Sequence, residues 1–446
     1  MSQTTRTIGL WGAVFTLVGY VVGASIFILP GQLAASAGPG VVVSYLLAGA
    51  VAAISCLVGA VLGSAVPVSG CVNVAAARVV APLAGFMGTW VILVAVIVGI
   101  SLVAFGLADY VAYFLPDADR RVVAVVAVAA CVALNLTTVR LAVSVQAAMT
   151  LGFLAVMVVF GLAGVMNARP ELLQPVFPNG GGAVLSGAVL AFFSYTGVTV
   201  ITEIGGEIRE PDRTIPRAML FSFLVVLSAY LLVAAAIPAG LRWLSVADPA
   251  APVARAAEVF LPAWVGGAIA IAAVLASVTS INGMLLIHSR DLLAMARAEV
   301  FPAGLGARNQ AGVPARAILL IGGLALVSVL FGGTIRQYAM VAVMSVMLWQ
   351  ISMGVTLLGL PRRLPEAWGR AGFRLAPAAR VAAAVGLILT SAAFFLLGVL
   401  DNLAVSAGYL VVVAVGTAYY YGRRTQLRRS GIALDRILRE GVEGEG

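Results

Sequence analysis

Reactive side chains are scarce in this chain, and backbone is offered in their place. It has one histidine, His288, no lysine, and three scattered cysteines, Cys56, Cys71 and Cys131, which form neither a disulfide framework nor a metal-ligand spacing. Without lysine there is no Walker A phosphate loop, no Schiff-base chemistry and no buried ammonium. A single histidine and dispersed carboxylates do not pair a nucleophile with a base, so an enzyme is not expected. Two stretches stand out instead. Gly19-Tyr20-Val21-Val22-Gly23-Ala24-Ser25-Ile26-Phe27-Ile28-Leu29-Pro30-Gly31 lies in the first apolar segment, and Ala191-Phe192-Phe193-Ser194-Tyr195-Thr196-Gly197-Val198-Thr199-Val200 lies in the sixth. Gly19, Gly23 and the small pair Ala24-Ser25 hold a helix poorly, and Pro30-Gly31 marks a second interruption. Broken helices expose N–H groups to an anion and carbonyls to a cation, a pairing that a zwitterion such as an amino acid satisfies at once.

The elements that must carry these breaks are membrane spans. The chain is 446 residues long, 62% hydrophobic and 10% charged, with a mean hydropathy of +1.08. Soluble domains run at about 45 to 50% apolar and about 25% charged. Apolar stretches fall at about 8–37, 40–65, 86–114, 121–139, 141–167, 184–204, 217–240, 262–289, 315–333, 337–360, 380–400 and 402–422. Each is near the ~20 residues a span needs, so an all-α polytopic membrane protein of twelve transmembrane helices is expected. The first run is too long, and lacks the small-residue site, for a cleaved signal peptide. Arg6, Arg78, Arg140, Arg209, Arg213, Arg217, Arg290, Arg297, Arg308, Arg316, the 362–380 loop and the Arg-rich tail at 423–446 fall on one side, and Arg120, Arg121, Arg169, Arg242, Arg255 and Arg336 on the other, which places both termini in the cytoplasm. That tail is either a topological anchor or a short helix on anionic headgroups. Breaks in spans one and six are five spans apart, as two inverted repeats require, about 8–167 and 184–360, with helices eleven and twelve (about 380–422) outside them. Hydrocarbon tolerates broken backbone only where it lines protein or a wet cavity, so the breaks are a candidate binding site.

The first stretch resembles the first-helix signature of the amino acid, polyamine and organocation transporter superfamily. Phe192-Phe193-Ser194-Tyr195-Thr196-Gly197 with Glu207-Ile208-Arg209-Glu210-Pro211 resembles its sixth helix and the following loop, and Ser280-Ile281-Asn282-Gly283-Met284 through Gly312-Val313-Pro314-Ala315-Arg316 gives a third match. The resemblance implies a LeuT-type fold with the substrate carboxylate on the N–H groups near Gly23, Ala24 and Ser25. The ammonium would lie on carbonyls of Val21 or Val22 and of Phe193 and Thr196, with Gly197 at the second break. Phe193 matches the aromatic that closes over substrate, or is an ordinary core aromatic. Thr199 stands where many members carry an acid, which disfavours reading a cationic side chain there; Ser25 stands where many carry Gly and adds a hydroxyl. The span-five lysine of proton-coupled relatives is missing from Met149-Thr150-Leu151-Gly152-Phe153. Gly19, Val22, Ala276, Thr279 and Ser280 match the sodium position of other relatives, or Thr279 and Ser280 bond their own helix.

Ionisable groups inside spans are costly and mark function by default. Glu203 is the foremost, as a proton carrier or as the partner of Arg140 or Arg290. Asp109 and His288 are expected at interfaces, and Glu207 through Arg217 as a charged loop gating the inner side. The expectation is a permease of the cell membrane that moves a neutral amino acid by alternating access, ion-coupled or exchanging; the alternative is a polyamine or cationic amino acid antiporter. No cofactor is expected beyond a sodium ion or a proton. The partners expected are the small-molecule substrate and the lipid bilayer, with no nucleic acid, in a monomer or homodimer.

Overall fold

The computed structural model of the chain describes residues 8–68, 70–136, 143–203, 205, 208–240, 251–310 and 312–440, with backbone alone at 143–148, 203 and 440. Helices account for most of the described residues, and the one β-type contact among them is an isolated parallel bridge between Ile8 and Ile208. In chain order the helices are α1 Leu10–Val22, α2 Ser25–Ala37, α3 Val41–Ala65, α4 Cys71–Val79, α5 Pro82–Val111, α6 Arg120–Leu136, α7 Val143–Met166, α8 Gly180–Ala191 and α9 Pro211–Gly240. They continue as α10 Pro252–Phe260, α11 Ala263–Arg297, α12 Ala315–Phe331, α13 Ile335–Arg363, α14 Pro365–Arg370, α15 Pro377–Asp401, α16 Leu403–Arg429 and α17 Leu434–Glu440. Among the described residues nine stretches are long and apolar enough to cross a membrane, and α1 and α12 are shorter apolar helices. Length alone does not return twelve: the first span is split into two 13-residue pieces, and α6 and α12 have 17 residues each.

Several helices of the first half pack on helices of the second. α3 lies on α9, α5 on α11 and α6 on α12, while α1 crosses α9 much as α8 crosses α3. The break between α1 and α2 lies beside the one after α8, and both line one cavity. Leu389, Leu400, Leu403 and Val411 are exposed on α15 and α16, an apolar surface suited to lipid and not to water.

Several boundaries depart from expectation. Pro30 does not interrupt the backbone: α2 runs through it to Ala37, and the break is confined to residues 23 and 24. The segment read as a charged loop up to Arg217 is helical from Pro211, because a proline and Asp212 make a good first turn. Two short helices were not foreseen. α4 packs on α5 at the end of the molecule that carries the termini, and α10 packs on α2, α7, α9 and α11 at the far end. There Pro252 sits so close to Gly31 that a Cβ on Gly31 would overlap the proline ring, and Tyr110 donates to the Phe27 carbonyl at 2.7 Å. The Arg-rich tail does not lie free on a surface either. α17 folds back on α4 and α5, with Leu434 and Leu438 buried.

Candidate functional site

α1 ends because Gly23 takes φ +25°, ψ −134°, a conformation foreign to L side chains, and a Cβ there would collide with the Ser280 hydroxyl of α11. The unwound backbone is bonded as soon as it leaves the helix. Ala24 N–H donates to Ser280 Oγ at 3.1 Å, and Ser25 Oγ reaches the carbonyls of Val21 and Val22 at 3.1 Å each. Tyr230 of α9 comes from the other side, 2.5 Å from Ser25 Oγ and 3.1 Å from the Val21 carbonyl. The acceptors expected to hold an ammonium are therefore held by hydroxyls in this conformation, which keeps a buried break free of orphaned carbonyls.

The second break follows the same logic. After α8 the chain tightens into a 3-10 turn, Phe192–Tyr195; Thr196 is extended, and Gly197 turns at φ +92°. The Thr196 amide and hydroxyl both donate to the Phe193 carbonyl, at 3.0 and 2.6 Å. The ring of Tyr20 lies against Gly197, where a Cβ would come within 2.5 Å of Cε1. Tyr45, Tyr195 and Tyr230 tie the breaks together, with ring centroids 5.4 to 6.3 Å apart and a 3.3 Å contact from Tyr45 to Ser194.

A cavity of about 220 Å³ opens between the two breaks and runs toward the end that carries the termini. Of the expected binding residues, Val21, Ala24, Ser25, Phe193, Thr196, Gly197 and Thr199 line it, as does Ser280; Val22 and Gly23 do not. Its inner end is floored by Ile437 and Leu438 of α17. Asn73 lies on its wall, accepting from Trp349 Nε1 at 2.9 Å. A second, much smaller cavity of about 20 Å³ lies between α1, α7 and α11, lined by Gly19, Thr150, Thr279 and Ser280 among others. That is about the room one water needs. Val22 and Ala276, the other two expected sodium residues, do not reach it, and the Ala276 carbonyl accepts the Thr279 hydroxyl at 2.8 Å.

Two of the ionisable residues are buried within the protein. Asp109 is buried and grips the half-exposed Arg120 in a bidentate pair at 2.5 and 2.9 Å. His288 is 5% exposed and lines the main cavity, with Nε2 3.1 Å from Tyr20 Oη and Nδ1 3.0 Å from Asp291 Oδ2. Glu203 ends a 3-10 turn, but its side chain lies outside the described set, as do Arg140 and Glu207. Tyr20, Tyr230 and Asp291 were not singled out from the sequence. A tyrosine in the middle of an apolar span was the available signal, since its hydroxyl must find a partner there.

The amino acid permease family matches residues 8–419. The chain is 28% identical over 324 residues to the branched-chain amino acid permease BcaP of Bacillus subtilis, covering 67% of this chain and 69% of that one. It is 30% identical over 323 residues to an uncharacterized transporter of Mycobacterium tuberculosis, 72% of each chain. It is 27% identical over 320 residues to the chloroplastic cationic amino acid transporter 9 of Arabidopsis thaliana, 67% of this chain and 56% of that one.

Proposed function

The chain belongs to the amino acid permease family, and from that premise we propose that it moves a neutral aliphatic amino acid, of the leucine class, across the cell membrane by alternating access. The supporting observation is that the two breaks face one cavity whose lining at the breaks is apolar or hydroxylic: Val21, Ala24, Ser25, Phe193, Thr196 and Thr199. The amides that open α2 and the helix dipole behind them suit a carboxylate. An ammonium would displace the hydroxyls of Ser25, Tyr230 and Thr196 from the carbonyls they now hold, one donor exchanged for another. A branched aliphatic side chain suits the wall formed by Val96, Val103, Val198 and Val346, and agrees with the name of the Bacillus relative. The arginine distribution supports a cytoplasmic side for the termini and for the end of the cavity beside α17.

A cationic substrate is the second reading, supported by the Arabidopsis relative and by the Asp291 carboxylate on the cavity wall. The partner that His288 already gives Asp291 weighs against it. Sodium coupling through Gly19, Val22, Ala276, Thr279 and Ser280 would require the carbonyls of Val22 and Ala276 to turn from the hydroxyls they accept. The test is uptake of labelled leucine, lysine and putrescine into liposomes holding the purified protein, with sodium and proton gradients imposed separately. Saturable leucine uptake competed by isoleucine and valine is expected; uptake of lysine or putrescine without leucine overturns the reading.

A further inference from the structure

We propose that Asp291, His288 and Tyr20 form a proton-binding relay in the wall of the transport cavity, whose charge state sets the direction of the Tyr20 hydroxyl. The inference rests on the permease reading for its link to substrate, and on geometry for the site itself. His288 is 5% exposed and bonded at both ring nitrogens, whereas the Asp291 side chain is 37% exposed and reaches the cavity mouth. An ionised carboxylate can only accept, so Nδ1 carries a proton in both states of the ring. In the neutral ring Nε2 then accepts from the Tyr20 hydroxyl. A proton taken from water onto Nε2 makes the imidazolium, with Asp291 as counter-charge. Nε2 becomes a donor, Tyr20 keeps its own proton but must now accept from the ring, and its O–H turns toward the breaks. There it offers a donor to a substrate carboxylate. Release returns the proton to water and turns the hydroxyl back.

The surrounding charges leave this role to the relay. On α11 itself stand Arg290 and Arg297. Of the elements packed on α11, α5 carries Asp109, paired with Arg120 of α6 beside Arg121, at the far end. α10 carries Arg255 and Glu258, α12 carries Arg316 bonded to the Gly304 carbonyl, and α7 has no charged residue. Tyr110, Tyr113 and Cys131 are the other titratable groups on these elements or beside them. Across the cavity α17 brings Arg436 and Arg439, together with Asp435, which is paired with Arg424; α4 brings Arg78, which donates to the Arg439 carbonyl, and Cys71. Glu203 follows the second break.

His288 is the only histidine in the chain, so a histidine-specific ¹⁵N label reports one ring. In lipid nanodiscs its nitrogen shifts should pass from neutral to cationic as the pH is lowered. Asp291→Asn should change the proton concentration at that midpoint tenfold or more, and Asp291→Glu should restore it. A ring that stays in one state as the pH is lowered, or a midpoint that Asp291→Asn leaves in place, overturns the relay whatever the substrate is. Leucine should move the wild-type midpoint, and Tyr20→Phe should abolish that movement, because linkage between two sites is reciprocal. Leucine that binds without moving the midpoint overturns the coupling and leaves the permease reading intact. If leucine fails to bind at every pH, the leucine reading falls and the ring titration alone decides the proton site.

Discussion

Tyr230 shows what an unwound segment costs in an apolar setting. Its hydroxyl serves Ser25 and the Val21 and Val22 carbonyls together, at 2.5, 3.1 and 3.4 Å. Tyr230→Phe should lower stability by about 1 to 2 kcal/mol, because a buried acceptor loses a donor; thermal unfolding of the detergent-solubilised protein checks this. Gly23→Leu should abolish leucine binding, since any Cβ there meets the Ser280 hydroxyl, with insertion and folding retained. Gly23→Ala should weaken binding about tenfold, ~1.4 kcal/mol, with partial recovery in Gly23→Ala/Ser280→Gly. Normal affinity in Gly23→Leu would remove the first break from the site. At this scale the sequence was legible where backbone does the chemistry and opaque where side chains meet across helices. The glycines and small residues of both breaks announced themselves because a span has no other reason to carry them. His288 was misread because Ser289-Arg290 looks like a helix end, whereas Leu292, Leu293 and Ala296 continue the buried face of α11 to Arg297. No spacing in the sequence places Tyr20 beside it.

At the scale of elements, the apolar runs located the long helices better than their ends. Hydropathy registers where a helix leaves hydrocarbon, not where its hydrogen bonds stop, so α9 and α11 extend into segments read as connectors. α4 and α10 were illegible for a related reason: they are too short to span, and their burial depends on partners distant in sequence; for α17 the sequence offered the short helix and not its docking on α4 and α5. Not every well-formed feature serves transport. α13 begins with a capping box in which Thr334 and Gln337 satisfy each other's amides at 3.2 and 2.9 Å. Thr334→Ala should cost about 1 kcal/mol of stability, seen as a lower unfolding temperature, while leucine affinity stays unchanged. A loss of affinity there would tie the start of α13 to the site.

For the whole molecule, different elements stand between the main cavity and its two ends. Toward the termini the floor is α17, a short helix held by the Asp435 contacts to Tyr420 at 2.8 Å and Arg424 at 2.5 Å. Truncation after Gly431 should let a membrane-impermeant thiol reagent reach Met295→Cys at least tenfold faster from that side, measured by labelling kinetics; an unchanged rate would mean that α17 is no barrier.

At the far end the closure is the body of the protein itself, α2 locked against α10 at Gly31 and Pro252. That contact is also a weighting factor on measurement. A solute arriving from the far side meets only the fraction of molecules whose seal has parted, and its apparent dissociation constant is the intrinsic one divided by that fraction. If about one molecule in a hundred is parted, the same pocket reads about a hundredfold weaker from that face than from the other. Gly31→Ala, by wedging a methyl group against Pro252, would then raise the affinity seen from one face alone, with every atom that touches the solute unchanged.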